Sequence, residues 1–362
     1  MDYASYKEKI ARENIDSMPE YKVNKYFDNL LELIPNGGKL YKYRSFKSDK
    51  IELYLKALKD KYLWIPSASE MDDIMDSTLN IKLESDFSEL EMLFREKPYL
   101  FIVLLYKKTE IFKKANTKDY KKLYDVYIKN LDIKNGTINT SAAAAAFKKY
   151  GINTEEASER IKTINDKMKV ALEENKDSLI KMIDDFSAIS TNNRESTNIF
   201  SMCETFDNDF LWDIYSEKNG FCIEYDFNKA RTLSTGIKRK LLMTLKVEYL
   251  DNLKRFSIYS FLEKMMENDV DDDFKDEQKR LIMEQVTSKK KCYISEQEWR
   301  IIQYKTDHMM YADIVSSIII DEKGLDDPWA KDLINIAREN NLKILVRRFS
   351  RYNNEYIYKS YY

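Results

Sequence analysis

Histidine is nearly missing from this sequence: one ring, His308, in 362 residues. A zinc site built on several imidazoles, or catalysis that divides its proton transfers between histidines, cannot be assembled from a single ring. A surface or strand-edge position is expected for it. Cysteine is scarce too. Cys203, Cys222 and Cys292 are odd in number and have no close pair, which argues against a disulfide framework or a zinc knuckle and predicts reduced and mostly packed thiols. With seven glycines and five prolines, collagen-like and linker-rich designs are excluded. No Gly-x-Gly-x-x-Gly or Walker loop occurs, which argues against Rossmann-type dinucleotide binding and P-loop hydrolysis. The longest apolar run, Tyr99 to Tyr106, falls far short of the roughly twenty residues that span a membrane. The chain begins Met1-Asp2-Tyr3 without a charged-then-apolar leader, so a cytoplasmic location and no membrane partner are expected. An excess of either charge is also lacking. Sixty Lys and Arg against 62 Asp and Glu leave a net charge of −2, which argues against nonspecific nucleic-acid binding. Chemistry is left to carboxylates, arginines, hydroxyls and aromatics.

The pattern along the chain predicts an α+β fold with a mixed, mostly antiparallel strand core. Residues 1–38 read as a helical lead-in ending at Ile34-Pro35-Asn36-Gly37-Gly38, a helix-terminating turn. A strand is expected over 39–46, with Leu40, Lys42 and Arg44 on one face and Tyr41, Tyr43 and Ser45 on the other. A helix capped by Ser48 or Asp49 follows to about Asp60, then a strand at Tyr62-Leu63-Trp64-Ile65 and a buried one at Pro98 to Tyr106. Residues 107–190 turn to Lys, Glu, Asp and Asn with helical periods, and are read as a helical insertion in a core formed by 39–106 and 191–362. The core resumes with strands at 197–203, 220–225, 242–249, 296–304, 315–320, 342–349 and 355–361. A short helix is expected between the first two, a longer one over 256–288, and another at 328–339. Roughly ten strands without regular strand-helix alternation do not fit a doubly wound sheet.

Several suggestive stretches have ordinary readings. Asp269 to Phe274 begins like a calcium loop, but Phe274 stands where Gly is needed and Arg280 where the closing Glu belongs, so no metal is expected there. Lys289-Lys290-Lys291 reads by default as a solvated helix end. Asp72, Asp73 and Asp76 read as a solvated loop. Two segments carry more information. If Glu296 to Ile302 is a strand, Glu296, Glu298 and Arg300 share one face, which is either an exposed ion-pair ladder or a carboxylate active site. Trp212 and Tyr215, three apart on a short helix near Ser201, are either core or an aromatic platform for a ligand.

The ordered set Leu40-Tyr41-Lys42-Tyr43-Arg44, Leu63-Trp64-Ile65-Pro66-Ser67, Phe200-Ser201, Leu211-Trp212-x-x-Tyr215, Gly220-Phe221-Cys222-Ile223-Glu224-Tyr225 and Lys289…Glu296-x-Glu298-Trp299-Arg300 resembles the bacterial domain-of-unknown-function family 2971. The chain departs from that family at Met71-Asp72-Asp73-Ile74-Met75-Asp76, where Asn-Asp-Pro-Phe-Asp/Glu is usual, and at Tyr293, where Trp is usual. The order of motifs is also similar, more loosely, to the ADP-ribosyltransferase core. That resemblance implies a fold of this type and NAD as substrate, with transfer of ADP-ribose to an unknown acceptor or to water. It implies that Arg44 binds the diphosphate or adenosine-ribose side and that Tyr215 or Trp212 stacks on nicotinamide. Ser67, Ser201 and Lys289 complete the cofactor-binding set, Glu298 is the catalytic residue, and Glu296 orients or deprotonates the acceptor. A toxin-like or phage-defence effector is the expected setting, although no residue of the sequence reports it. Two other readings compete. One is a metal-dependent nuclease-type effector using Asp72, Asp73, Glu296, Glu298 and Lys289. The other is a noncatalytic sensor or interaction module, with a protein partner or self-association through the insertion.

Overall fold

The computed structural model describes residues 1–71, 131–132, 137–138, 141, 194–253, 280, 283–304 and 308–361. The chain divides into two compact units, residues 1–78, 190–254 and 275–362 forming one and residues 79–189 and 255–274 the other. The first unit opens with α1 (Tyr3–Arg12) and α2 (Glu20–Leu33), followed by β1 (Lys39–Arg44), α3 (Ile51–Lys59) and β2 (Tyr62–Trp64). The second unit shows an antiparallel pair, β3 (Leu131–Asp132) with β4 (Thr137–Ile138). The first unit resumes with β5 (Thr197–Cys203), α4 (Asp209–Tyr215), β6 (Phe221–Asp226), α5 (Thr235–Leu241), β7 (Thr244–Lys246) and β8 (Glu248–Leu250). It ends with β9 (Ser288–Lys290), β10 (Glu298–Tyr304), β11 (Met309–Tyr311), β12 (Val315–Asp321), α6 (Pro328–Glu339), β13 (Lys343–Ser350) and β14 (Glu355–Ser360).

An eight-stranded sheet runs in the order β14-β13-β12-β6-β1-β5-β10-β7. Its pairs are antiparallel except β12 with β13, which α6 connects as a crossover, so the sheet is mixed and mostly antiparallel. Alternation along the strands sends residues to two layers. Leu40, Ile223, Tyr225, Ile318 and Ile320 join the main core, with Tyr6 and Ile10 of α1, Phe27 and Leu30 of α2, Leu55 of α3, Leu241 of α5 and Leu333 of α6. Tyr41, Tyr43, Cys203, Cys222 and Ile319 face the other way, onto Leu211 and Trp212 of α4. The central strands are covered on both sides, which is why β5 and β10 read as nearly continuous buried runs.

Local chemistry revises several expected boundaries. The lead-in is two helices: α1 ends at Arg12, where Glu13 turns extended, and α2 starts again behind Pro19 at its N-cap. The turn after α2 holds Asn36 and Gly37 at φ 54° and 67°, the left-handed region that Asn and Gly tolerate. Ser48 and Asp49 do not cap α3: its N-cap is Lys50, whose own N–H bonds to Ser48 Oγ. The strand expected over 242–249 breaks at Val247, whose N–H goes to the Glu298 carbonyl while β8 turns away to run parallel with β9. The strand expected from Glu296 begins at Glu298, after a 3-10 turn over Lys291–Glu296 and a left-handed Gln297 at φ 44°. Lys289 is not on a solvated helix end; it lies on β9 and is 8% exposed. The strand expected at 98–106, Asp72, Asp73 and Asp76, most of the 107–190 insertion and most of 256–288 lie outside the described residues.

Candidate functional site

β1 is bonded to β6 along its whole length, from Lys39↔Asp226 to Arg44↔Phe221. On its other edge it meets β5 at one pair, Tyr41↔Cys203, and beyond that pair the two strands part. β5 remains joined to β10 throughout, from Glu298↔Cys203 to Tyr304↔Thr197. A cavity of about 790 Å³ opens where the sheet divides. It receives Lys42 and Arg44 from the strand face that carries Leu40, and Ser201, Cys203 and Glu298 from the opposite face. Gly220 permits this arrangement: a Cβ there would stand 2.0 Å from the Arg44 carbonyl oxygen, so only glycine lets the chain pass the end of β1.

One wall is a buried charge cluster. Arg300, fully buried, donates from Nε and Nη2 to the two oxygens of Glu298 at 2.8 and 3.0 Å, and from Nη1 to the Val286 carbonyl at 2.8 Å. Lys289 Nζ lies 2.7 Å from Glu296 and 3.3 Å from Glu298, linking the two carboxylates. Tyr215 donates its hydroxyl to the other oxygen of Glu296 at 2.8 Å, and the Glu298 N–H donates to Tyr249 Oη at 2.8 Å. Burial pushes the Glu298 carboxyl up, but the charges of Arg300 and Lys289 outweigh it and bring the group down to about 2. The Ser201 hydroxyl, on the neighbouring β5, is buried and completes no hydrogen bond among the described residues. Glu298 is therefore ionised at any physiological pH: it can face a positive charge but is too weak a base to remove a proton. The exposed charge ladder offered by the sequence does not form, because Glu296, Glu298 and Arg300 are all buried and Arg300 pairs within its own strand.

The opposite wall is cationic and aromatic. Arg44 lies over the Tyr54 ring at 3.8 Å. Lys42 Nζ reaches across the gap to the Ser201 carbonyl and stands 4.5 Å from the centroid of Phe200. Burial and the neighbouring Arg44 charge push the Lys42 ammonium well below the ordinary lysine range. Trp64 also lines the cavity, stacked on His308 with centroids 5.1 Å apart, and its indole N–H is buried without a partner.

Of the residues singled out from sequence, Arg44, Ser201, Tyr215, Lys289, Glu296 and Glu298 come together around this cavity. Two do not. Ser67 is engaged in a capping box with Glu70 and bonds to the Arg194 and Glu195 carbonyls. Trp212 is fully buried, its N–H on the Phe206 carbonyl and its ring edge-on to Tyr43, so it cannot offer a face to a ligand. Cys203 lines the cavity as an inert thiol, since burial pushes it up to about 12. Lys42, Tyr54, Trp64 and Tyr249 were not singled out. The signal for Lys42 was present: two cations, Lys42 and Arg44, follow Leu40 at strand spacing on a face whose neighbours are apolar. Among the described residues no three His, Cys, Asp or Glu side chains are grouped to hold a metal ion, and no helix is long and apolar enough to cross a membrane.

Residues 211–301 match the model of a family described as protein of unknown function (DUF2971). The DUF2971 segment contains Tyr215, Gly220, Lys289, Glu296, Glu298 and Arg300, so the carboxylate wall lies inside it. Lys42, Arg44, Trp64 and Ser201 precede it. The motifs at 40–44, 63–67 and 200–201 therefore stand outside the matched stretch, while those from Leu211 to Arg300 lie within it. No curated protein and no solved structure matches the chain.

Proposed function

We propose that the cavity binds NAD and that the protein is an ADP-ribosyltransferase or NAD glycohydrolase with an ADP-ribosyltransferase-like core. The observation that carries this reading is the division of the sheet at Tyr41↔Cys203, beside a cavity lined by Arg44, a cation without a carboxylate partner among the described residues, and by an ionised glutamate, Glu298. Its volume, about 790 Å³, suits an organic ligand of nucleotide size. Departure of nicotinamide leaves an oxocarbenium-like ribose, and a fixed carboxylate facing that charge lowers the barrier without exchanging a proton. Glu298 supplies the fixed charge. Glu296, held between Tyr215 and Lys289, orients the acceptor or the ribose hydroxyls. Tyr215, half on the surface and half in the cavity, is the aromatic group available to nicotinamide. Arg44 takes the diphosphate side through charge-assisted hydrogen bonds. A toxin-like or phage-defence role in a bacterial cytoplasm is the setting in which NAD cleavage of this kind fits.

The test is nicotinamide release. Purified protein incubated with NAD is followed by chromatography, beside Glu298→Gln and Arg44→Ala and with and without a chelator, at a temperature where both variants are folded. Release that persists in chelator and is lost in Glu298→Gln supports the reading. Absence of release from the wild type, together with no rise in melting temperature on adding NAD, overturns it.

A further inference from the structure

The Arg44 side of the cavity holds two cations without a counter-ion among the described residues and one N–H without an acceptor. Elsewhere around the same cavity the cations are matched: Lys50 with Glu70, Lys289 with Glu296 and Glu298. Among the described residues neither Lys42 nor Arg44 has a carboxylate within ion-pair distance. Lys42 is bonded to one main-chain carbonyl and Arg44 rests on a tyrosine ring. The indole N–H of Trp64, buried in the same lining, has no acceptor at all. Lys42 and Arg44 are half-buried, so their charge is unmatched but not wholly desolvated, while a buried N–H without an acceptor is costly. Three such donors around one cavity mark a place kept for an anion.

Strand register locates that place. Tyr41 is level with Cys203, and Cys203 with Glu298, whereas Arg44 lies three residues further along β1, a separation of about 10 Å. Trp64 belongs to that end, because Pro66 accepts the N–H of Ile199, four residues before Cys203. An anion held by Arg44 there lies along β1 from Glu298; of the carboxylates lining that end, Asp49 and Glu70, Glu70 is paired with Lys50. We propose that Lys42, Arg44 and the Trp64 N–H form a phosphate subsite, with Lys42 as its second cation and a phosphate or diphosphate ester as the ligand class. This rests on the nucleotide reading above and deepens it by adding the lysine and the indole to Arg44. The groups whose charge bears on Lys42 are Arg44 on its own strand, Cys203 on β5, and Glu298 and Arg300 on β10. Glu298 and Arg300 act on it in opposite directions, and the effect of Arg44 is the largest of these charges.

Inorganic pyrophosphate, titrated calorimetrically into the wild type, Lys42→Met, Lys42→Arg, Trp64→Phe and Glu298→Gln, tests the subsite with a probe that contains no glycosidic bond. Lys42→Met is expected to weaken binding about tenfold and Trp64→Phe about threefold, while Lys42→Arg stays near the wild type. Melting temperature separates this from a structural role: deleting a half-buried cation that has no counter-ion leaves Lys42→Met as stable as the wild type or more so, whereas a structural lysine would lower it. Unchanged pyrophosphate affinity in Lys42→Met, or no binding by the wild type at millimolar concentration, overturns the subsite. Nicotinamide release measured in parallel keeps the two claims apart. Lysine-dependent pyrophosphate binding without NAD cleavage supports the subsite and removes the NAD reading. NAD cleavage with lysine-independent pyrophosphate binding does the reverse.

Discussion

Replacing Glu298 by Gln removes the carboxylate on which Arg300 depends. The pair is bidentate, with Arg300 fully buried, so the variant leaves a guanidinium without its counter-charge. Depression of the Glu298 carboxyl from 4.5 to about 2 corresponds to about 3 kcal/mol of native-state stabilisation at about 1.4 kcal/mol per pH unit. Breaking a buried pair by removing one partner costs about 3–5 kcal/mol, the same range. At about 2–4 °C per kcal/mol for a unit of this size, the melting temperature should fall by about 6–12 °C at neutral pH. The sign of the pH dependence follows from the depressed value. The carboxylate's contribution is fully present above pH 4.5 and is lost as pH falls towards 2, so the gap between wild type and variant stays constant from pH 8 to 5 and closes below. Calorimetric melts of wild type, Glu298→Gln, Arg300→Met and the double variant Glu298→Leu with Arg300→Met check this. The double variant, with no unpaired charge left on β10, should recover most of the loss. A Glu298→Gln melting temperature within 2 °C of the wild type, or a double variant as unstable as the two single losses added together, would refute the reasoning.

Gly220→Ala drives a Cβ to 2.0 Å from the Arg44 carbonyl, so it should cost about 1–3 kcal/mol in a denaturant titration and weaken pyrophosphate binding by displacing the end of β1. Ser67→Ala removes a capping box whose serine is outside the cavity lining although its partner Glu70 is within it, so about 1 kcal/mol of stability should go while nicotinamide release per folded molecule changes little. A thiol reagent at pH 8 should modify one cysteine of the native protein, the exposed Cys292, and all three after denaturation, because Cys203 and Cys222 are buried and their thiols pushed up; native labelling of Cys203 would contradict the packing of the cavity wall.

The strands legible in the sequence were those whose burial is carried by their own residues. β5 at Thr197–Cys203 and α6 at Pro328–Glu339 match their expected bounds, because a run of apolar residues and an Asp-Pro start need no distant partner to be recognised. Elements set by their partners were less legible. β11 exists because Met309 to Tyr311 find β2, and the break at Val247 exists because its N–H is claimed by Glu298. The site follows the same division. Glu296, Glu298 and Lys289 stood out as charges in a short segment, but strand parity alone put Glu296 on the wrong element, and a left-handed Gln297 was needed to bring its carboxylate back to Lys289. Lys42 was passed over because only the parting of β1 from β5, a non-local event, turns it from a strand-face residue into a cavity group.

The middle position of β1 in the sheet has a consequence for how the protein is made. Its hydrogen-bonding partners lie far downstream; Tyr41, for example, bonds to Glu224, 183 residues later. At about 5–20 residues per second, a ribosome delivers β6 roughly 10 to 40 s after β1 has emerged, and β10 with its charge cluster later still. Through that interval β1 is an open strand edge exposed to chaperones and to other nascent chains. The cavity is completed late, with β11 to β14 and α6 still to come: a product stopped before Glu296 carries Lys42 and Arg44 but no carboxylate wall, and so none of the chemistry that needs both.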